Sequence, residues 1–273
     1  MVTQEELQDF ISGEKFQALC DFEWSPGLDL PSKPGLLYVC GDHIGLELWE
    51  KLTHSNQKFV LLSHNSDVNM TQHMADSLPA NVIRWFSQNM NAVGDRVQGI
   101  PIGLANSKWP HGNIADFSEI SPVRQCLGHC YWCCKIDTNP GVRHRWFEKA
   151  EELQSNLNVT MDQWPVPRKR CLEMYSKHLM SLSPPGNGLD CHRHYEILLA
   201  GGIPVIEVSD AMTWVEDLPV VWIGNEEGLT SENLEVFYNS LVSSIQNGSF
   251  KPKTEVLTFS YWKNLIEASR GEL

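Results

Sequence analysis

The chain alternates short, continuous apolar runs with stretches whose apolar positions recur every three to four residues. Leu36–Cys40, Phe59–Ser63, Val82–Ser87 and Val97–Ile102 read as strands. Polar or Gly-containing turns close them: Gly41-Asp42-His43, then His64-Asn65-Ser66-Asp67, then Gln88–Asn91. A helical pattern follows the first turn as far as Leu52. Pro110, Gly112, Asn113 and Pro122 interrupt the periodicity over Lys108–Pro122, which marks a boundary. The pattern then restarts with strands at His129–Ile136, Val159–Gln163, His178–Ser183, Ile203–Val208 and Val220–Ile223. Helices are predicted at Val142–Asn156 (after the turn Asn139-Pro140-Gly141), Pro167–Lys177, Leu189–Ala200, Ser231–Gln246 and Phe259–Ala268. Continuous apolar strands alternating with helices call for parallel sheets covered on both faces. The expected fold class is therefore α/β, with two Rossmann-like halves facing a central cleft. Residues 1–118 form one half and 119–258 the other, and a C-terminal helix (259–273) packs back toward the first.

Charge narrows the partners. Thirty-four acids against 21 bases give a formal net charge of −13, which repels a phosphate backbone and excludes nucleic acid as a partner. A small anionic ligand would need a local cluster of bases or a helix N-terminus. No run approaches the roughly 18–20 apolar residues of a membrane span. The N-terminus is acidic and amphipathic rather than basic then apolar, so a cytoplasmic location is expected. Eight cysteines do not make a disulfide scaffold in a chain of this size, and Cys40, Cys130 and Cys133 sit in strand-like apolar runs, consistent with a reducing compartment. Cys126, His129, Cys130, Cys133 and Cys134 include a C-x-x-C spacing that suits zinc or a redox pair. No second knuckle follows, and alternation along a strand would send these side chains to opposite faces. No metal is expected.

The sharpest feature is LMSLSPPGNGLDCHRHYEILLAGGIPVIE, residues 179–207. Pro184 and Pro185 end a strand by removing backbone donors. Gly186 and Gly188 permit positive φ and close approach of the backbone to a ligand. With a helix starting near Leu189–Asp190, its unpaired N–H groups and His192 and Arg193 in its first turn favour an anion such as a diphosphate. Glu196, one turn on, suits ribose hydroxyls. The plain alternative is a tight turn with Asp190 as an N-cap.

The run SPPGNGLDCHRHYEILLAGGIPVI resembles the donor-site motif of exostosin-like (family 47 class) glycosyltransferases. Supporting resemblances are HNSD at His64–Asp67, IPIGLANSKWPHGN at Ile100–Asn113, KIDTNPGVR at Lys135–Arg143, and Tyr261-Trp262-Lys263. The resemblance covers the chain from about residue 36 onward, and its compact size is similar to that of small exostosin-like enzymes of chlorella viruses. It implies a GT-B architecture with donor bound mainly by the second half, and a viral protein in the host cytosol. It further implies transfer of a sugar, xylose from UDP-xylose, to a glycan or glycoprotein hydroxyl. Ser183, Pro185, Gly186, Asn187, Gly188, Asp190 and His192 would line the donor site. Arg193 and Arg143 would contact the diphosphate and Glu196 the ribose. His194 and Tyr195 stand where relatives often carry other large residues.

Glycosyl transfer needs a base for the acceptor hydroxyl and charge stabilisation for the leaving diphosphate. No D-x-D triplet occurs, which fits a metal-independent reaction. Asp67, just past a strand end, is the first candidate base; His64 and Asp42 follow. His43, Asn65 and Trp109 are candidate acceptor-side residues, and Trp109 and Trp164 are candidate stacking platforms. A nicotinamide-dependent oxidoreductase would want G-x-G-x-x-G after the early strand, where Gly41-Asp42-His43-Ile44-Gly45 stands instead. A non-catalytic nucleotide-sugar or glycan-binding protein is the other alternative.

Overall fold

A computed structural model describes residues 8–118, 120, 128–154, 159–208, 212, 218–251 and 253–273. Residues 119, 121 and 122 of the expected boundary loop and residues 123–127, Cys126 among them, lie outside the described residues.

Two parallel five-stranded sheets form the frame. The first contains β1 (Phe22–Trp24), β2 (Gly35–Cys40), β3 (Phe59–His64), β5 (Val82–Ser87) and β7 (Val97–Gly99), adjacent in chain order. A two-stranded ribbon, β4 (Met70–Thr71) with β6 (Met90–Asn91), lies beside it. The second sheet contains β8 (Gly128–Trp132), β9 (Val159–Met161), β10 (His178–Leu182), β11 (Ile203–Glu207) and β12 (Val221–Ile223), in the spatial order β9-β8-β10-β11-β12. All their pairings are parallel. β3 and β10 are buried along their whole length, as covering of both faces requires. The expected α/β class and two-halved layout are observed.

The helices are α1 (Gly13–Leu19), α2 (Leu46–His54), α3 (Gln72–Asp76), α4 (Pro140–Gln154), α5 (Arg168–Lys177), α6 (His192–Leu199), α7 (Ser231–Gln246) and α8 (Phe259–Ala268). One apolar cluster crosses from the first half (Tyr38, Leu62, Phe86) to the second (Tyr131, Tyr175, Tyr195) and takes in Trp262 and Ile266 of α8. α8 packs back on the first half. Phe259 meets Phe16 edge-on at 5.5 Å, and its N–H donates to the Asp9 carbonyl at 2.6 Å.

Local expectations shift in three places. Pro140 begins α4 rather than ending a turn, because a first helical turn loses nothing by lacking an N–H. α6 starts at His192 with Cys191 at its N-cap, not near Leu189–Asp190, since Asp190 is committed to the other half of the molecule. β1, β4 and β6 are two or three residues long, too short to register as a periodic pattern.

Candidate functional site

Strand order locates the site. In an open parallel sheet, ligands bind beyond the carboxyl ends of the strands where the winding reverses. The first sheet runs in chain order and has no such point. The second reverses between β8 and β10, and the two loops leaving those strands are Cys133–Asn139 and Ser183–Cys191. They meet through direct bonds. Asn139 Nδ2 donates to the Gly186 carbonyl at 2.8 Å. Arg143 Nε donates to the Pro185 carbonyl at 2.9 Å and Nη1 to the Lys135 carbonyl at 2.6 Å. A cavity of about 410 Å³ opens beyond them, bordered by both loops, by α5 and α6, and by Asp67, Ile102 and His111 of the first half.

Neither glycine of the turn uses positive φ, contrary to expectation; space is what selects them. A Cβ on Gly188 would stand 2.7 Å from Asn89 Nδ2, and one on Gly186 would stand 3.2 Å from Arg143 Nη2. The turn is closed by the Gly186 N–H donating to the Gly188 carbonyl at 3.1 Å. Beneath it, the Cys191 sulfur lies 3.0 Å from the Gly186 nitrogen. Burial opposes ionisation of this thiol, but His194, Arg193 and Arg143 outweigh it and hold its pKa below the ordinary value. Arg193 Nε donates to Ser183 Oγ at 3.1 Å, Nη1 contacts Cys134 Sγ at 3.1 Å, and Nη2 binds the Pro184 carbonyl. In a chain of charge −13, Lys135, Arg143, Arg168 and Arg193 border this cavity against Asp67, Asp190 and Glu196. Permanent cations are thus concentrated where a helix N-terminus adds further positive potential.

The same loop joins the halves. Asp190 Oδ2 accepts from the Ile102 N–H at 2.7 Å and from the Tyr195 hydroxyl at 2.8 Å, and the Asp190 N–H donates to Asn89 Oδ1 at 3.1 Å. His192 Nδ1 donates to the Gly103 carbonyl at 2.8 Å. Asn187 Nδ2 donates to Asp67 Oδ2 at 3.3 Å. His194 Nδ1 sits 3.5 Å from Asp190 Oδ1, an ion-pair separation rather than a hydrogen bond. Burial works against its charge, yet Cys191 and Asp190 leave its pKa raised to about 9.

A second cavity of about 330 Å³ continues from the first past Asp67, Ile102 and His192. Asp42, Asn65, Ser66, Gln88, Asn106 and Trp109 border it, and Trp109 is largely exposed. Asp42 Oδ1 accepts from Ser66 Oγ at 2.6 Å. Asn65, at φ 59°, donates through Nδ2 to the Tyr38 hydroxyl at 2.6 Å and accepts from Asn106 Nδ2 at 3.0 Å.

Among the candidate residues, Arg143, Gly186, Asn187, Gly188, Arg193 and Glu196 border the first cavity, Asp42, Asn65 and Trp109 the second, and Asp67 and His192 both. Five need correction. His64 is buried; its Nε2 donates to the Pro101 carbonyl at 3.0 Å and its Nδ1 accepts the Asn65 N–H at 2.8 Å, so it cannot serve as a base at the cleft. His43 borders neither cavity. Ser183 is buried behind the loop as the acceptor for Arg193, and Pro185 contributes its carbonyl to Arg143. Asp190 borders the cavity, but its Oδ2 is taken by Ile102 and Tyr195 and its Oδ1 faces the His194 imidazole.

Three residues at the cleft escape a sequence reading, while Trp164, a candidate stacking platform, borders the first cavity. Lys135 lies in the loop after β8 and borders the same cavity. His111 lies 6.1 Å from His192, its pKa lowered by burial. Arg168 opens α5, donates to Asp116 at 2.9 Å and to Glu196 at 2.5 Å, and keeps Nη2 buried with no hydrogen-bond partner. Its one available signal was the run Arg168-Lys169-Arg170 in a helix's first turn, where cations oppose the dipole and need outside partners. The C-x-x-C pair is split: Cys130 and Cys134 face one apolar cluster and Cys133 another. Among the described residues no group of three His, Cys, Asp or Glu is placed to hold a metal.

No protein-family model matches the chain, and no curated protein sequence matches it. Among solved structures it is similar to a UDP-forming α,α-trehalose-phosphate synthase from Burkholderia xenovorans, in complex with glucose-6-phosphate. The TM-score is 0.46 at 8% identity, over 89% of this chain and 75% of that one.

Proposed function

We propose that this chain is a GT-B glycosyltransferase that moves a sugar from a nucleotide-sugar to a glycan hydroxyl, with inversion and without a metal. The observation that carries the reading is the cation-rich cradle at the β8/β10 reversal, where Lys135, Arg143 and Arg193 surround a glycine turn that runs into the start of α6. A departing nucleoside diphosphate would collect negative charge there, and fixed cations and first-turn amides stabilise such charge without reorganising. Arg143 and Arg193 use donors on loop carbonyls, so they act both by charge and by holding the turn in shape. Asp67 stands between the two cavities and would take the proton of an acceptor hydroxyl lying in the second. Trp109, with the amide side chains around it, suits a sugar ring there. UDP-xylose is the proposed donor, on the exostosin-like resemblance of residues 183–206.

A thermal-shift panel of nucleotide-sugars followed by hydrolysis and transfer assays tests this. UDP and one UDP-sugar should raise Tm in proportion to occupancy. Lys135→Ala should weaken that binding about tenfold (about 1.4 kcal/mol) and Arg193→Ala abolish it. Asp67→Asn should retain the shift and lose transfer. Binding without turnover for any donor would instead make the chain a nucleotide-sugar-binding protein. No shift with any nucleotide would refute the reading.

A further inference from the structure

The sulfurs of Cys133 and Cys171 lie 3.5 Å apart, buried, although 38 positions separate them in the chain. Two features create the contact. Alternation past the end of β8 puts Tyr131 and Cys133 on the face that meets α5. Cys171 lies on the buried face of α5, one turn beyond Arg168. Both residues border the cleft, which is the route by which a small reagent would approach them. Both are free in the structure.

We propose that Cys133 and Cys171 form a dithiol modification site at the floor of the cleft, which a low-molecular-weight disulfide converts to an intramolecular disulfide. A disulfide needs the sulfurs at about 2.0 Å, so they must close by about 1.5 Å, within reach of rotation about χ1 in two unbranched side chains. The Cys133 thiolate attacks one sulfur of the reagent R–S–S–R, forming a mixed disulfide and releasing R–S⁻. Cys171 then loses its proton, which the released thiolate takes up. It attacks the Cys133 sulfur, forms the internal bond and expels the second R–S⁻, which is protonated from solvent. The protein loses two electrons and two protons, and the reagent leaves as two thiols. The order follows from surroundings. The contact with Cys171, assisted by Tyr131 and Arg193 against burial, holds the Cys133 pKa below the ordinary thiol value, while Cys171 is pushed up by that same contact and by burial. The new bond would tie α5, and with it the Arg168–Glu196 wall of the cleft, to the end of β8. None of this depends on which ligand the cleft takes.

The test treats the full chain with 2-hydroxyethyl disulfide and maps its peptides by mass spectrometry. The expected product is a Cys133–Cys171 cross-link with loss of two hydrogens, reversed by dithiothreitol, and a higher Tm for the oxidised form. Cys171→Ser should stop at a mixed disulfide on Cys133, and Cys133→Ser should react at Cys171 at least tenfold more slowly. Cys171→Ala serves if the serine variant melts early, and the wild-type map needs no variant. The proposal is overturned if both thiols stay reduced after overnight treatment, or if both carry reagent with no cross-link. Repeating the wild-type reaction with saturating UDP separates the two readings. Slower cross-linking supports both, whereas an unchanged rate leaves the dithiol site standing and counts against a nucleotide in the cleft.

Discussion

Acidification should destabilise this protein through His64 while leaving its proposed chemistry untouched. The imidazole is fully satisfied as the neutral form: Nε2–H donates to Pro101 and Nδ1 accepts from Asn65, with the Phe16 ring 5.2 Å away. A proton on Nδ1 would be directed toward the Asn65 N–H at 2.8 Å, and Asn65 Oδ1 at 3.3 Å offsets the cost of burying the charge only in part. Burial is the largest cause of a pKa lowered to about 4, below the ordinary 6.5. The sign follows from proton counts. Between the two values the unfolded chain binds a proton that the folded one does not, so stability is complete above about pH 6.5 and declines as pH falls toward 4. For these two pKa values the loss is about 2 kcal/mol at pH 5 and about 3 kcal/mol at the low-pH limit. Urea unfolding of the wild type and of His64→Gln across pH 4.5–8 isolates this from the carboxylates, which titrate in both. Gln can keep the Pro101 bond through Nε2, and the Asn65 N–H still has Gln88 Oε1 at 3.0 Å. The variant should therefore lose about 1–2 kcal/mol at pH 8 and match or exceed the wild type by pH 5. It should also keep transfer activity at neutral pH. Parallel pH profiles for the two proteins would refute the burial argument, and loss of turnover at full stability would restore His64 as a candidate base.

Three further outcomes rest on other contacts. Gly188→Ala places a Cβ 2.7 Å from Asn89, which holds the Asp190 N–H, so unfolding free energy should fall by about 1–3 kcal/mol and nucleotide binding should weaken in isothermal titration. Asp190→Ala removes the acceptor of the Ile102 N–H and of the Tyr195 hydroxyl and the carboxylate facing His194; urea unfolding should show a loss of about 3–5 kcal/mol. Arg270→Ala breaks an ion pair with Asp21 that is about one-third exposed on each side, and its melt should change by less than about 1 kcal/mol.

The local pattern determined the parallel strands longer than three residues, the helices of the second half and the glycine turn after β10, because an apolar run or a 3.6-residue period records how each segment meets solvent. Asp190 reads as a helix cap in its own neighbourhood, but its partner is the Ile102 N–H, 88 residues earlier. His64 closes a strand among polar residues as a catalytic base would, and Pro101, 37 residues on, makes it a buried brace. Arg168 and Cys171 belong to an ordinary amphipathic helix until packing turns them to the cleft. The C-x-x-C spacing suggested Cys130 with Cys133, while packing of α5 against the end of β8 pairs Cys133 with Cys171. The two loops that form the cleft are brought together by the order in which strands lie side by side, β9-β8-β10-β11-β12. That order is a property of how elements pack rather than of any one element's periodicity. It places the reversal, and so the cleft, between two loops that no local signal connects.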